Sequence, residues 1–186
     1  FVLSGYVIAY VTATKERDWQ SYAASRLSRV YSVAIPAIVL TLALDWAGRH
    51  LLPATYGYPF DWFAPRILGS LLMANEVWFV SITSFSNVPY WSICYEAWYY
   101  VGFGLLSFVP RARAWALIGL IAVVLGPKIP MLAPVWAMGV WLFHSRRMAA
   151  MSERVGWALV AATVVAIAAF LAFDIEHVVG ARFQAL

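Results

Sequence analysis

Cysteine and histidine are scarce in this sequence of 186 residues. Cys94 is the single cysteine, which excludes an internal disulfide bond and a metal site built from a cysteine cluster. His50 lies in a predicted loop, His144 follows an apolar block and His177 lies in a polar tail, so we interpret all three as interfacial residues rather than catalysts. Because no two acidic residues and histidines are spaced as ligands of one ion, we expect no metal site.

Charged residues are scarce as well. They make up 12% of the chain, whereas soluble globular domains carry roughly 25%, and hydrophobic residues make up 63%. This composition excludes an ordinary soluble domain and is typical of a helical protein that crosses a membrane several times. Ten tryptophans and ten tyrosines fit that class, because their rings favour the membrane interface. The expected partners therefore include membrane lipids and no nucleic acid.

Apolar blocks separated by short polar segments set the expected fold. They predict an all-α, polytopic transmembrane helix bundle with about seven membrane segments, in a single domain over residues 1–186. The fifth and sixth blocks are short for a span. The chain begins inside an apolar run without a signal-peptide pattern, so we expect a fragment. The blocks cover residues 1–11, 30–47, 67–82, 90–109, 114–125, 131–143 and 155–173.

One of these blocks is expected not to cross the bilayer. Asn75 and Glu76 interrupt the third block, and residues 15–29 form a basic segment that the positive-inside rule places in the cytoplasm. If every later block crossed once, Arg111 and Arg113 would lie outside, against that rule. A re-entrant third segment returns both arginines to the cytoplasmic side.

Glu96 places a carboxylate inside an aromatic and aliphatic block. A charged group at bilayer depth costs about 2.5 to 3.5 kcal/mol on insertion scales, so an intramembrane acid is a functional-site hypothesis until a structural partner is found. Ser92 shares its helical face, and Tyr99 and Tyr100 lie near it, so hydroxyl groups are available to orient a substrate alcohol or a catalytic imidazole. The alternative is a structural ion pair, or a hydrogen bond to a tyrosine or tryptophan of an adjacent helix.

Arg26 and Arg29 are three residues apart, which places both guanidinium groups on one helical face. Arginine binds phosphate oxygens in a bidentate manner, so a nucleotide-bearing donor such as a coenzyme A thioester is a natural ligand for the pair. The alternative interpretation is a topology signal that also binds anionic lipid headgroups.

Ser4 and Gly5 are small residues in the first apolar block. Small residues let neighbouring helices approach closely, and close packing is the favoured interpretation of both. The serine can also hydrogen-bond a neighbouring helix, whereas a nucleophilic serine needs a base and no histidine lies near it in sequence.

Three motifs, in this order, resemble signatures of the integral-membrane acyltransferase-3 family of O-acyltransferases, which modify sugars of bacterial surface polysaccharides. Residues 1–8, Phe-Val-Leu-Ser-Gly-Tyr-Val-Ile, are similar to its Ser-Gly-aromatic motif. Residues 26–31, Arg-Leu-Ser-Arg-Val-Tyr, are similar to its Arg-x-x-Arg motif. Residues 89–96, Pro-Tyr-Trp-Ser-Ile-Cys-Tyr-Glu, are similar to its Trp-Ser-x-x-x-Glu motif, the most specific of the three.

The resemblance implies a role for each matched residue. Arg26 and Arg29 would help to bind acyl-CoA, which is the donor substrate and not a bound cofactor. Glu96 would belong to the active centre and support the catalytic base. The remaining assignments are Trp91, Ser92 and Tyr99 around the active centre and Ser4, Gly5, Tyr6 and Asn87 in the packing of the motifs.

The implied enzyme is an acyltransferase transferring groups other than aminoacyl groups, embedded by several spans in the inner (cytoplasmic) membrane of a bacterium. It would move an acyl group, expected to be acetyl, from acyl-CoA to a hydroxyl of a cell-envelope or exported carbohydrate. The family's catalytic histidine lies in a span before the Ser-Gly motif, so this fragment, truncated at both ends, is expected to be inactive alone. Ser32 departs from the family pattern, which often has proline there.

A function of another class fits some of the same features. A transporter or flippase for a glycan or small amphiphile also has polytopic helices, broken spans and an acidic residue near the bilayer midplane. An apolar span with a histidine before Phe1 would favour the acyltransferase over the transporter.

Overall fold

The computed structural model describes residues 1–53, 56–58, 60–145 and 150–172. The chain divides into two compact units, Phe1–His144 and Ser145–Leu186. The described residues are predominantly helical, so the predicted all-α class is confirmed. His177 and the end of the last apolar block lie outside the described residues.

Six α-helices, a small hairpin and a 3₁₀ turn make up the described part of the first unit. Strands β1 (Glu76–Val77) and β2 (Val80–Ser81) pair antiparallel, and the 3₁₀ turn (Val88–Tyr90) leads directly into a helix. In the second unit, the described residues contain one helix, α7 (Glu153–Ala172). The helices of the first unit are α1 (Val2–Thr14), α2 (Trp19–Leu51), α3 (Phe63–Leu71), α4 (Trp91–Phe108), α5 (Arg111–Leu125) and α6 (Lys128–His144).

Two of the described helices, α2 and α7, are long and apolar enough to cross a membrane. α2 has 33 residues and α7 has 20, and a crossing helix needs about 20. The expectation of about seven spans is therefore corrected to two candidates. The physical reason is length for α1, α3, α5 and α6, which have only 13, 9, 15 and 17 residues. α4 has 18 residues but is less apolar, because it carries Glu96, two serines and several tyrosines and tryptophans.

Asp18 determines where α2 begins. Its side chain accepts a hydrogen bond from the Ser21 amide at 2.8 Å, as N-cap residues do, and this hydrogen bond lowers the pKa of the Asp18 carboxyl. Only residues 15–18 separate α1 from α2. The end of α1 and the start of α2 therefore lie at the same end of the first unit.

The third apolar block does not form one continuous helix. α3 ends at Leu71, and two tyrosine hydroxyls bind the carbonyl groups at its end: Tyr31 donates to Leu71 at 2.9 Å and Tyr90 donates to Ser70 at 3.0 Å. Carbonyl groups at a helix end have no partner inside the helix, so side chains from elsewhere stabilise the stop. The chain then turns through the β1–β2 hairpin, at the place where an interruption was predicted.

α2 and α4 run in opposite directions. Near the start of α2, the Tyr22 hydroxyl donates to the carbonyl of Tyr100, in the second half of α4, at 2.6 Å. Near the end of α2, Asp45 accepts a hydrogen bond from the Ser86 amide, just before α4 begins, at 3.1 Å. The segment between the two helices therefore returns to the end at which α2 stopped.

α1 and α6 lie side by side at very short distance and run in the same direction. Gly5 faces the Trp136 backbone, and a Cβ built on Gly5 would collide with the Trp136 carbonyl oxygen. A Cβ on Gly139 would likewise collide with the α1 backbone. Further along both helices, the rings of Tyr10 and Phe143 pack edge to face at 6.2 Å. The close approach predicted for the small residues of α1 is present.

Because α1 and α4 run opposite to α2, several basic residues lie at one end of the first unit, which we call the basic end. The start of α2, the end of α4 and the start of α5 all lie there. Among the described residues none of the exposed cations of this end forms an ion pair. They are Lys15, Arg17, Arg29, Arg111 and Arg113.

Cations at the opposite end all have partners. Arg66 pairs with Asp61 at 3.0 Å and Lys128 pairs with Glu76 at 3.0 Å. The Arg49 guanidinium donates to a backbone carbonyl of the following loop. The two ends of the first unit therefore differ in unpaired positive charge.

Gly5→Val should separate α1 from α6. The added methyl groups have no room against the Trp136 backbone, so we expect the free energy of unfolding to fall by at least about 1 to 3 kcal/mol. Thermal unfolding in detergent, followed by circular dichroism, measures this change. Gly119→Ala is the matched control, because the space around Gly119 is open and alanine should stabilise its helix by up to about 1 kcal/mol. Equal melting temperatures for the two variants would contradict the packing.

Candidate functional site

Glu96 lies on α4 within a group of hydroxyl donors. The Ser4 hydroxyl, from α1, donates a hydrogen bond to Glu96 Oε1. The Tyr100 hydroxyl, one turn further along α4, donates to the same oxygen at 2.5 Å. Among the described residues no side chain hydrogen-bonds Oε2 and no cation pairs with this carboxylate. The two hydroxyls therefore fix one carboxylate oxygen and leave the other free.

A fourth side chain completes this group, which we call the Glu96 cluster: Ser4, Glu96, Tyr100 and Trp136. The Trp136 indole, from α6, lies 3.4 Å from the Ser4 hydroxyl and is oriented to donate to it. Ser4 and Trp136 meet because the neighbouring Gly5 lets α1 and α6 approach closely. Three helices thus contribute polar groups to one point in an otherwise apolar core.

The structure decides between the interpretations of Glu96 in part. A structural ion pair is absent among the described residues, whereas a hydrogen bond from an adjacent helix is present, from Ser4 rather than from a tyrosine or tryptophan. The Glu96 side chain is half-buried, and among the described residues only neutral hydroxyls contact its carboxylate. Oε2 can therefore accept a further hydrogen bond.

Two residues predicted near Glu96 make other contacts. Ser92 donates to the Pro89 carbonyl at 2.9 Å, and Tyr99 donates to the Ile129 carbonyl at 2.8 Å. Residues four apart on a helix are offset by about 40°, whereas residues three apart are offset by about 60° in the other direction. Tyr100 therefore faces the carboxylate and Tyr99 faces α6. Of the three hydroxyl residues predicted near Glu96, Tyr100 is a hydrogen-bond partner, whereas Ser92 and Tyr99 are not, and Ser4 is the further partner.

Three further motif residues, Trp91, Tyr6 and Asn87, make packing or loop contacts and do not contact Glu96. Trp91 is 37% exposed and packs against aromatic rings at the start of α4. Tyr6 packs edge to face on Phe143 at 5.8 Å. The Asn87 amide donates to the Thr41 hydroxyl at 3.3 Å, near the end of α2 and away from the basic end. These three residues therefore pack helices and loops together rather than contacting Glu96.

Arg26 is buried and already has an anionic partner. Its guanidinium forms an ion pair with Glu16 at 2.5 Å, and the exposed fractions of the two side chains are 8% and 4%. The Thr12 hydroxyl donates to the other oxygen of Glu16 at 2.8 Å. Arg26 Nε is buried without a hydrogen-bond partner. Sequence analysis missed Glu16, although its place in the short loop before α2 was the available signal.

Arg29, by contrast, is exposed and unpaired at the basic end. The prediction of two equivalent guanidinium forks therefore needs correction. Arg26 faces the interior toward α4, whereas Arg29, three residues later, faces outward. Only Arg29 presents a free guanidinium to a phosphate, and Arg26 can do so only if Glu16 releases it.

Tyr100 connects the Arg26 ion pair to the Glu96 cluster. Its ring lies 5.6 Å from the Arg26 guanidinium, and the Tyr22 ring lies 5.5 Å from the same group. These are cation–π distances. The hydroxyl of the same Tyr100 side chain donates to Glu96. The two polar sites are therefore adjacent, although about seventy residues separate them in sequence.

Two pockets adjoin these sites. One has a volume of about 470 Å³, lies between α4, α5 and α6, and is lined by apolar side chains that include Trp136 of the Glu96 cluster. The other, of about 310 Å³, lies between α2 and α4, and Arg26 and Tyr100 line it. Within the described ranges, no three histidine, cysteine or acidic side chains come together as metal ligands.

Comparison of this chain with protein-family models, curated protein sequences and solved structures gives no match. The chemistry of the site therefore rests on the geometry described above.

Glu16→Gln should strongly destabilise the first unit. Removing one partner of a buried ion pair leaves an uncompensated charge and typically costs about 3 to 5 kcal/mol. The double variant Glu16→Gln/Arg26→Met should recover most of this loss, because no buried charge remains. Chemical unfolding in mixed detergent measures both free energies.

Asp61→Asn is the matched control for that substitution. Asp61 also pairs with an arginine, but its side chain is 63% exposed, so the loss should stay within about 1 kcal/mol. If Glu16→Gln cost no more than Asp61→Asn, the buried ion pair would not be a stabilising element of the fold.

Proposed function

We propose that this chain is part of a multi-pass membrane O-acyltransferase that moves an acyl group, expected to be acetyl, from acyl-CoA to a carbohydrate hydroxyl. The observation that carries the proposal is the carboxylate of Glu96, held at Oε1 by Ser4 and Tyr100 with Oε2 free of described partners. The order of the Ser-Gly, Arg-x-x-Arg and Trp-Ser-x-x-x-Glu motifs supports it, because Ser4, Arg26 and Glu96, one residue from each motif, lie close in space.

The proposed membrane arrangement places the basic end in the cytoplasm. α2 is long and apolar enough to cross, and many large apolar side chains of α1, α2, α5 and α6 are exposed, as contact with lipid tails requires. The unpaired cations of the basic end follow the positive-inside rule. Because the segment between α2 and α4 does not cross, Arg111 and Arg113 share that side with Lys15.

The donor binds at the basic end. Arg29 offers an exposed guanidinium to the phosphates of acyl-CoA, and Lys15 and Arg17 add positive charge nearby. The thioester then reaches toward the pocket between α2 and α4, where Arg26 and Tyr100 form part of the wall. This path leads from the cytoplasmic surface to the Glu96 cluster.

At Glu96 the acceptor hydroxyl loses its proton as its oxygen attacks the thioester carbonyl carbon. A new C–O bond forms, the C–S bond breaks, and the coenzyme A thiolate leaves and takes up a proton. Glu96 Oε2 accepts a hydrogen bond from the base that removes the acceptor proton, which by the family resemblance is a histidine. Orienting a base in this way is a common role for a carboxylate. The acceptor is a hydroxyl of a cell-envelope or exported carbohydrate.

Cysteine substitutions test the membrane arrangement. Cys94 is fully buried, so the wild-type protein should give little background with a membrane-impermeant maleimide. In intact cells Asp61→Cys should be labelled, whereas Lys15→Cys and Arg113→Cys should be labelled only after the membrane is opened. Labelling of Lys15→Cys and Arg113→Cys from opposite sides would contradict a non-crossing segment between α2 and α4.

Glu96→Gln tests the site. In membranes that contain the complete gene product, the rate of transfer from acetyl-CoA to envelope glycan should fall at least about 100-fold, since proton transfer assisted by a positioned side chain contributes that much or more. Arg29→Gln should instead raise the KM for acetyl-CoA with a smaller effect on kcat, because it removes a contact with the donor.

Ser107→Ala is the control on the same helix, because Ser107 is exposed and its hydroxyl donates only to the Phe103 carbonyl at 2.8 Å. Unchanged transfer in Glu96→Gln would overturn the assignment. If the complete protein moved glycan or amphiphile across the membrane without acylating it, the transporter alternative would replace the acyltransferase.

A further inference from the structure

Tyr100 is the one described side chain that touches both polar sites of the first unit. It is 3% exposed, its ring lies against the Arg26 guanidinium, and its hydroxyl lies on Glu96 Oε1. Its backbone is held as well, because the Tyr22 hydroxyl donates to the Tyr100 carbonyl at 2.6 Å. The ring therefore has little freedom to move without changing one of these contacts.

The Tyr100 hydroxyl is one of two donors that hold Glu96 Oε1. Ser4 and Tyr100 each carry one hydroxyl proton, and both protons are directed at Oε1. The two hydroxyl oxygens also lie 3.1 Å apart, so either hydroxyl can donate to the other. Oε1 is the acceptor that both hydroxyls reach. Tyr100 and Ser4 therefore define the rotation of the carboxylate and the direction in which Oε2 points.

A bound anion can change the contact between the Tyr100 ring and the Arg26 guanidinium. Arg26 is held by Glu16, its Nε has no partner, and it lines the pocket between α2 and α4. A phosphate of the donor that lies at the mouth of this pocket, next to Arg29, competes with Glu16 for the guanidinium. Any displacement of the guanidinium alters its contact with the rings of Tyr22 and Tyr100, since cation–π attraction depends on the position of the cation over the ring.

We propose that Tyr100 is a positioning residue whose hydroxyl sets the orientation of Glu96 and whose ring transmits the engagement of Arg26 by the donor to that carboxylate. This inference rests on the proposed function, in which Arg26 and Glu96 serve the same reaction. Through Tyr100, binding of the donor to Arg26 changes the orientation of the Glu96 carboxylate. The carboxylate therefore reaches the orientation that the reaction needs only when the donor is bound.

Infrared spectroscopy of the complete protein tests the contact without needing any transfer. The carboxylate stretching band of Glu96 is obtained by subtracting the spectrum of Glu96→Gln, and this band moves when a hydrogen bond to the carboxylate is lost. Tyr100→Phe keeps the ring and removes the hydroxyl, so it should shift the band. Tyr90→Phe is the matched control, because Tyr90 is equally buried and its hydroxyl donates to the Ser70 carbonyl.

Coenzyme A is the probe for the coupling. Adding it to the wild-type protein should shift the Glu96 band, adding it to Tyr90→Phe should give the same shift, and adding it to Tyr100→Phe should give none. In kinetics, Tyr100→Phe should lower kcat about 10-fold or more and leave the KM for acetyl-CoA within about 3-fold, because a hydrogen bond to a charged group is lost and the donor contacts remain.

Each outcome bears on one part of the inference. An unchanged band in Tyr100→Phe without ligand would overturn the positioning role. A coenzyme A shift that persists in Tyr100→Phe, or that is absent from the wild-type protein, would overturn the coupling. Loss of acetyl transfer is measured separately, so failure of the proposed function is distinguishable from failure of the Tyr100 contact, which the ligand-free spectrum reads alone.

Discussion

An ionisable side chain inside an apolar helix bundle needs polar partners, and the arrangement of α1, α4 and α6 depends on how Glu96 obtains them. Its hydroxyl donor from outside α4 is Ser4, and Ser4 reaches it only because the adjacent Gly5 allows α1 to lie against the backbone of α6. The same approach brings the Trp136 indole to Ser4. Packing and polar satisfaction therefore depend on the same residues, and the Ser-Gly dipeptide serves both.

A second constraint is the burial of Arg26. A guanidinium in the interior requires an anion, and Glu16 in the short loop before α2 supplies it. Among the described residues, the remaining cations of the basic end are exposed and form no ion pair, while those of the opposite end pair with an acid or bind a carbonyl group. The first unit thus has one interior ion pair, exposed cations without acidic partners at the basic end, and cations bound to acidic or carbonyl groups at the opposite end. Only the basic end is ready to attract a phosphate-bearing ligand.

The all-α class followed from the sequence, because it depends on local patterns of apolar residues, but the second block, 30–47, is shorter than α2, which begins at Trp19 and ends at Leu51. The break after α3 was also visible, since Asn75 and Glu76 interrupt an apolar block. The number of candidate spans was wrong, because apolar composition does not fix helix length: α5 and α6 stop at 15 and 17 residues. Tyr100 was predicted near Glu96, but Ser4 as a partner of Glu96 and Glu16 as the partner of Arg26 were missed for a different reason. Ser4 is 92 residues from Glu96 and Glu16 is 10 residues from Arg26, and no periodicity within one helix reports a contact made by another chain segment.

The segment between α2 and α4 explains why two motifs far apart in sequence meet. If residues 63–90 formed a crossing helix, α4 would run parallel to α2, and Tyr100 would lie at the end opposite Arg26. Instead Tyr31 and Tyr90 bind the last carbonyls of α3, and the hairpin returns the chain to the end at which α2 stopped. α4 then runs back along α2, which places Tyr100 beside Tyr22 and Arg26. The two motifs therefore also meet at the end of α3, because Tyr31 belongs to the Arg-x-x-Arg motif and Tyr90 to the Trp-Ser-x-x-x-Glu motif.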